Sequence, residues 1–288
     1  MLTGIRKSDN KKVIGDKISK DINESYLCDF CGKELIHHKS DTKIKVGHFK
    51  HKSGQSDCAN IIKETEWHIN TKLDIYNYIS SNWANNLKTI GIEVWLYNKQ
   101  IRADIYLETK KGSKIAIEVQ ASILQVSEIK RRTENYKKAG IYVMWIIPYE
   151  YERFNELKQT YEWENGQRKL LTEQWQYKEY VRLKEYELFL YRCYYKKIFA
   201  WDLTHKYSND FILLNLDDYT TMVNTFYRDG EEMTVGGNKT KTTKAIKSIY
   251  PKIAFNNLTI YDAPEFEVKS RNYKIPERKI FTYYEKQK

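Results

Sequence analysis

The sequence predicts an α/β fold, a mixed sheet flanked by helices and followed by an α+β C-terminal region. Three observations predict it. Ile101–Leu107 and Lys114–Ala121 each alternate apolar and polar residues, the period-two signature of strands, and Lys111-Gly112-Ser113 between them is turn chemistry. Ile141–Ile147 (IYVMWII) is an unbroken apolar run stopped by Pro148, as in a strand buried on both faces. Between these lies a helical stretch, Ser122–Ala139, capped by Ser122 or Ser127 and ended by Gly140. A strand–helix–strand crossover of this kind sets its second strand parallel inside the sheet.

Taken in order, residues 1–58 form a first segment. A weak strand near Val13-Ile14 precedes Cys28-Asp29-Phe30-Cys31-Gly32-Lys33. Two thiols offered from one tight turn, which Gly32 permits, are the shape of a zinc knuckle. A short hairpin is expected at Glu34–Ile36 and Lys43–Val46, followed by His48-Phe49-Lys50-His51 and Cys58. Cys28, Cys31, Cys58 and one of the two histidines, His48 or His51, make a four-ligand set. Four protein ligands leave no open position, so this zinc is structural.

Residues 59–150 hold the predicted sheet. Ala59 to about Ser80 reads as a helix, with Ile62, Ile69, Leu73 and Tyr76 on one stripe. Glu66 and Asn70, like His68 and Lys72, are four apart and neighbours on the helix surface. Gly91–Tyr97 is a strand and Asn98-Lys99 a hairpin turn. If the next hairpin is symmetric about Lys111, Asp104 stands directly opposite Glu118, and Gln120, two residues on, shares their face. Paired carboxylates repel unless a proton or a cation neutralises them, and Mg²⁺ (or Mn²⁺) needs only one or two carboxylates with water and phosphate. Glu66 can reach over from the helix as a third acidic group.

These motifs, in this order, resemble the competence protein CoiA-like nuclease family within the PD-(D/E)xK superfamily. The residues that carry the resemblance are the Cys28-x-x-Cys31 knuckle, His48-Phe49-x-His51, Glu66-x-His68, Arg102-Ala103-Asp104-Ile105, Ile117-Glu118-Val119-Gln120-Ala121-Ser122 and the Glu128–Tyr136 helix. The resemblance implies a PD-(D/E)xK nuclease core with a small zinc-binding module before it. It implies that Asp104 and Glu118 hold Mg²⁺, with the Val119 carbonyl, and that Glu66 orients water or adds a ligand. Gln120 stands where the wider superfamily often has lysine. It supplies no positive charge, but its amide can orient water. Arg131, Arg132 and Tyr136 would line the crossover helix, where guanidinium forks suit phosphate oxygens.

Residues 151–288 match more loosely. Tyr151–Ile198 is expected to be mostly helical, interrupted at Glu164-Asn165-Gly166, with Cys193 buried. Ile198–Leu203 and Phe211–Leu216 are expected to pair as strands. Residues 229–244 (DGEEMTVGGNKTKTTK) read as a loop. The GxxxxGK[ST] phosphate-binding pattern is absent, so no nucleotide site is expected there, although the lysines suit DNA. Ile253–Val268 can add strand pairing.

Net charge is +11, with 25 Lys+Arg against 18 Asp+Glu in residues 1–150 and 24 against 20 in the remainder. The excess leans toward the half with the carboxylate pair and points to DNA as partner. MLTGIRKSDNKK lacks the apolar core of a secretory signal, and no run approaches a membrane span, so a cytoplasmic protein is expected. Four cysteines then imply metal ligation or burial rather than disulfides. The expected function is a metal-dependent DNA nuclease acting in competence, recombination or defence against foreign DNA. The alternatives are a catalytically weak nucleic-acid-binding module and an interaction protein recruiting recombination or defence partners.

Overall fold

The computed structural model describes residues 1–19, 23–39, 46–52, 58, 64–120, 124–164, 167–228, 231–268 and 273–283. The N-terminal segment is a five-stranded antiparallel sheet in the order β2-β1-β3-β4-β5. Its strands are β1 (Thr3–Arg6), β2 (Lys12–Ile14), β3 (Tyr26–Leu27), β4 (Glu34–His38) and β5 (His48–His51). Phe49, Tyr26 and Leu35 pack with Cys28 and Cys58 into a small core of their own. β4 pairs with β3 on one side and with the His48–His51 motif itself on the other, in the register Leu35↔His51; the strand expected at Lys43–Val46 falls mostly on residues not described. Residues 43–45 lie outside the described residues.

Helix α1 (Glu66–Asn82) starts later than the apolar stripe suggested. Thr65 caps it, its Oγ1 accepting from the His68 amide at 3.2 Å. Residues 59–63, with Ile62, lie outside the described residues. The meander β6 (Leu87–Leu96), β7 (Ile101–Thr109) and β8 (Lys114–Val119) follows as expected. Tyr97, Asn98 and Lys99 turn the first hairpin with positive φ. Gly112, at φ +83°, turns the second. Helix α2 (Val126–Lys138) has Gln125 at its N-cap without a side-chain bond. Ser127 lies inside the helix, and Ser122 is outside the described residues. Gly140 ends the turn at φ +71°, and β9 (Tyr142–Pro148) runs parallel to β8. The apolar run expected to be buried is buried, from Val143 to Ile147. Each such side chain contributes roughly 1.5–3 kcal/mol.

The sheet does not stop at residue 150. After a short helix α3 (Tyr151–Phe154) come β10 (Asn155–Glu164), β11 (Gln167–Tyr177), β12 (Tyr180–Arg182) and α4 (Glu185–Cys193). Then follow β13 (Lys197–Trp201), β14 (Ile212–Thr220), β15 (Asn224–Arg228), β16 (Glu231–Val235) and β17 (Lys239–Tyr250). The chain closes with β18 (Leu258–Ala263), β19 (Phe266–Val268), β20 (Tyr273–Ile275) and β21 (Arg278–Tyr283). One ten-stranded mixed sheet results, ordered β12-β17-β14-β13-β9-β8-β7-β6, with β21 joining β9 and β18 joining β21. β13 lies parallel to β9 through Phe199↔Ile146, and antiparallel to β14 as expected.

Two expectations are corrected. Residues 155–177 are an antiparallel hairpin and not helix, in the register Leu157↔Trp175. Leu157 and Tyr161 are four apart, a spacing that serves a helical stripe and a strand face equally well. The flanking Thr160, Trp163 and Trp175 favour strand. Much of the stretch read as a loop at residues 229–244 is strand: residues 231–235 form β16, paired with β15, and residues 239–244 begin β17, which joins the large sheet, while residues 229–230 lie outside the described residues. β16 is exposed throughout and the first part of β17 carries lysines and threonines, so no apolar alternation marks them in the sequence. No helix among the described residues is long and apolar enough to cross a membrane.

Candidate active site and metal cluster

The cysteine–histidine set closes around His51. The ligand atoms of Cys28, Cys31, His51 and Cys58 all lie within 4.8 Å of one another, with Cys31 Sγ 3.4 Å from His51 Nε2. Zinc ligands at about 2.0–2.3 Å from the ion require a spacing of this order. The knuckle turn is built as its residues suggested: Gly32 has φ +72° and its amide donates to Cys28 O at 2.9 Å. Burial works against the Cys31 thiolate, yet the Lys33 amide and the thiols of Cys58 and Cys28 hold its pKa below the ordinary value. His48 goes elsewhere. It stacks on His38 at 5.6 Å, and Val46 O accepts from its Nδ1. Strand alternation decides this, because His51 shares the face of buried Phe49 while His48 shares that of exposed Lys50. The knuckle docks on the end of β6: Trp95 Nε1 donates to Asp29 Oδ1 at 3.1 Å, and Phe30 packs on Trp95 at 4.7 Å.

The carboxylate pair sits in the large sheet. The β7–β8 register runs Tyr106↔Ala116, Ile105↔Ile117, so the next opposed pair is Asp104 and Glu118. Both are buried, as is Gln120. Asp104 Oδ2 accepts from the Val119 amide at 3.0 Å and lies 3.3 Å from His68 Nε2. Glu118 is gripped from α2, with Tyr136 donating to Oε1 and Arg132 to Oε2. The guanidinium of Arg132 lies 5.2 Å over the Trp145 ring.

A second layer of charge lies behind Asp104. Lys72, fully buried, places Nζ 2.5 Å from Glu93 Oε1, 2.9 Å from Glu64 Oε1 and 3.8 Å from Asp104 Oδ1. Arg102 Nη2 donates to Glu64 at 2.7 Å. Glu93 is a left-handed residue (φ +50°) within β6, and its Oε2 accepts from the amides of Leu2, just before β1, at 2.8 Å and of Thr3 at 3.1 Å. Four carboxyl groups (Glu64, Glu93, Asp104 and Glu118) thus meet three side-chain cations, Lys72, Arg102 and Arg132, and the amino terminus of Met1, 3.9 Å from Glu64 Oε2. Of the four, Glu118 is the one whose ionisation is disfavoured. Burial pushes its carboxyl up to about 8, with Asp104 adding to the shift and Arg132 and Tyr136 opposing it. For Asp104, burial opposes ionisation but His68, Lys72 and Arg132 prevail and hold it far below the carboxylate range. Lys72 is likewise kept charged: burial disfavours the ammonium, and Glu93, Asp104 and Glu64 outweigh it.

The family model for the competence protein CoiA nuclease-like domain matches residues 64–228, more than half of the chain. The chain belongs to this family. Competence protein CoiA of Bacillus subtilis (strain 168) is 26% identical over 129 residues, 43% of this chain and 31% of that protein. The match therefore spans about a third of the curated relative's length. No solved structure matches.

The family match begins at Glu64, so it takes in the whole α1–β9 site and leaves the cysteine cluster before it. Within the CoiA nuclease-like region the structure brings together Asp104, Glu118, Arg132 and Tyr136. It does not bring Glu66 in. That side chain is exposed on the first turn of α1, and among the described residues no contact joins it to Asp104 or Glu118. Glu64, two residues earlier, takes the inward place, its Oε2 buried without a hydrogen-bond partner among the described residues. Arg131 lies on the outer surface, paired with Glu128 at 2.6 Å. Tyr136 is fully buried, so it holds Glu118 rather than facing a ligand. Sequence reasoning missed Glu64 and Glu93, quoted Arg102 only as part of the motif around Asp104, and read Lys72 only as a neighbour of His68. The signal for Glu93 was present. A two-residue turn at Asn98-Lys99 sets Glu93 opposite Asp104, and the flanking pairs Ile92↔Ile105 and Val94↔Ala103 have that register.

Proposed function

We propose that the chain is a metal-dependent deoxyribonuclease of PD-(D/E)xK type whose centre is the Asp104–Glu118 pair. The observation that carries this is the pair itself: two carboxyl groups opposed on neighbouring strands, both buried, with burial pushing the Glu118 carboxyl up to about 8. A hard divalent cation is the partner such a pair accepts. Asp104 and Glu118 would hold Mg²⁺ or Mn²⁺, with Glu64 as a third acidic group in the place first given to Glu66. When bound, the ion would lower the pKa of an attacking water and offset charge on the phosphoryl oxygens.

The remaining work falls to the chain's own residues. His68, partly exposed beside Asp104, can take or return a proton at Nε2. Arg132, at the solvent edge of the pair, can move from Glu118 to a phosphate oxygen. Gln120 can orient water through its amide. Lys72 is shut away from solvent and serves to fix Asp104 and to replace the charge that Gln120 lacks. The substrate proposed is DNA, handled during competence and recombination in the cytoplasm. Defence against foreign DNA would use the same chemistry, with recombination or defence proteins as further partners.

A second reading has its own observation. Both oxygens of Glu118 already accept from Arg132 and Tyr136, which suits a nucleic-acid-binding module without turnover. The two readings separate when wild type and Glu118→Ala are incubated with linear double-stranded, circular single-stranded and nicked DNA, with Mg²⁺ or Mn²⁺ and without. Mn²⁺ binding is followed in parallel by electron paramagnetic resonance. Metal-dependent cleavage and Mn²⁺ uptake, both lost in the variant, support the nuclease. DNA binding with neither would sink it and leave the binding module.

A further inference from the structure

A second feature stands four strands away from the carboxylate pair, across β9, β13 and β14, about 19 Å at ordinary strand spacing. It is an open groove of 660 Å³ between the end of α4, β17 and β19. Its size suits a nucleotide-scale ligand. Three aromatic residues line it, Tyr191, Tyr195 and Phe266, of which Tyr191 is buried. Tyr195 is 43% exposed and Phe266 half-buried, so both have surface to offer.

Beneath those rings lies Arg278, 1% exposed, its guanidinium 5.4 Å from the centroid of each. It donates only to carbonyls: Cys193 O at 2.8 and 3.0 Å, Pro264 O at 2.9 Å and Pro276 O at 3.1 Å. No carboxylate pairs with it among the described residues. A buried cation paired only with dipoles leaves net positive charge under the groove floor.

The walls add to that charge. Lys244 is spent on Asp218 at 2.7 Å, Lys196 on Asp217, and Glu267 faces Lys274 at 3.7 Å. Lys239 and Lys241, both exposed on the wall, have no acidic partner among the described residues. These two come from the GGNKTKTTK stretch, basic residues on an exposed strand for which the carboxylate site has no use.

We propose that this groove binds single-stranded nucleic acid, with phosphates on Lys239 and Lys241 and bases stacked on Tyr195 and Phe266. Lysines suit backbone phosphates without regard to sequence, and aromatic faces reward unpaired bases that a duplex keeps stacked inside. Both DNA and RNA single strands carry this chemistry.

The test is fluorescence anisotropy of the full chain with labelled (dT)12 and (rU)12 strands and a 12-base-pair duplex (each about a dozen nucleotides long, enough to span an open groove), without added divalent ions. Because no turnover is required, the result is independent of the nuclease reading. Lys239→Glu/Lys241→Glu should weaken single-strand binding at least about tenfold and reduce the salt slope by about 1.4. Lys110→Glu/Lys111→Glu, an equal charge change on the exposed β7–β8 turn, should leave it unchanged. Lys239→Gln/Lys241→Gln repeats the measurement without charge reversal, and should weaken binding in the same direction. Strands bearing 5-iodouracil should photocrosslink to Tyr195 or Phe266. Equal losses in both glutamate pairs, crosslinks confined to other residues, or tighter binding of duplex than of either single strand would overturn the proposal. The ratio of (dT)12 to (rU)12 affinity then says which strand the groove prefers.

Discussion

Asp104 and Glu118 face one another across β7 and β8 and divide one proton between them. Asp104 is ionised, held by His68, Lys72 and the Val119 amide. Glu118, deeper and beside that charge, is pushed up to about 8. A folded-state pKa raised above the unfolded value means stability that is full below pH 4.5 and lost as pH rises toward 8. Asp104 acts in the opposite sense, but only below its ordinary pKa of 3.8. Thermal unfolding without divalent ions should therefore fall in midpoint between pH 5 and pH 8. Glu118→Gln should flatten that decline, and an equally steep decline in the variant would refute the assignment.

Lys72 is the keystone of the inner layer. Removing its charge leaves Glu64, Glu93 and Asp104 facing one another in a buried site. Lys72→Met should cost about 3–5 kcal/mol, the scale for breaking a buried ion pair. Glu93→Gln in the same chain should restore part of the loss. A denaturant-unfolding double-mutant cycle reads the coupling, and strict additivity would show that the two do not act together.

The histidine choice has a direct check. Purified wild type should carry one zinc per chain by elemental analysis. His51→Ala and Cys58→Ser should lose it, together with several degrees of thermal midpoint. His48→Ala should keep it.

The β10–β11 hairpin projects its side chains into solvent, with Trp163 76% exposed. Its base is closed by the Lys178 amide donating to Phe154 O at 2.8 Å. Replacing residues 156–176 with a short turn should leave the thermal midpoint within a few degrees, because little core is lost. A collapse of the fold, seen by circular dichroism, would mean that the hairpin is packed against the body of the protein.

By itself the sequence determined the meander, the crossover helix, the buried fourth strand and the opposition of Asp104 and Glu118. Those features follow from local rules: period-two alternation, a glycine turn and a fixed register about Lys111. It also marked Cys28 and Cys31 as one side of a candidate metal cluster, because CxxC with a following glycine builds its own turn. Only the tertiary structure decided between His48 and His51, and between Glu66 and Glu64, because strand pairing and docking against Arg102 and Lys72 set which side chains turn inward. It alone brought Lys72 between Glu93 and Asp104, joining α1, β6 and β7 through ion pairs that no sequence period encodes. The β10–β11 hairpin was hidden for a related reason: a four-residue spacing is common to both periods, and only the pairing of Leu157 with Trp175 separates them.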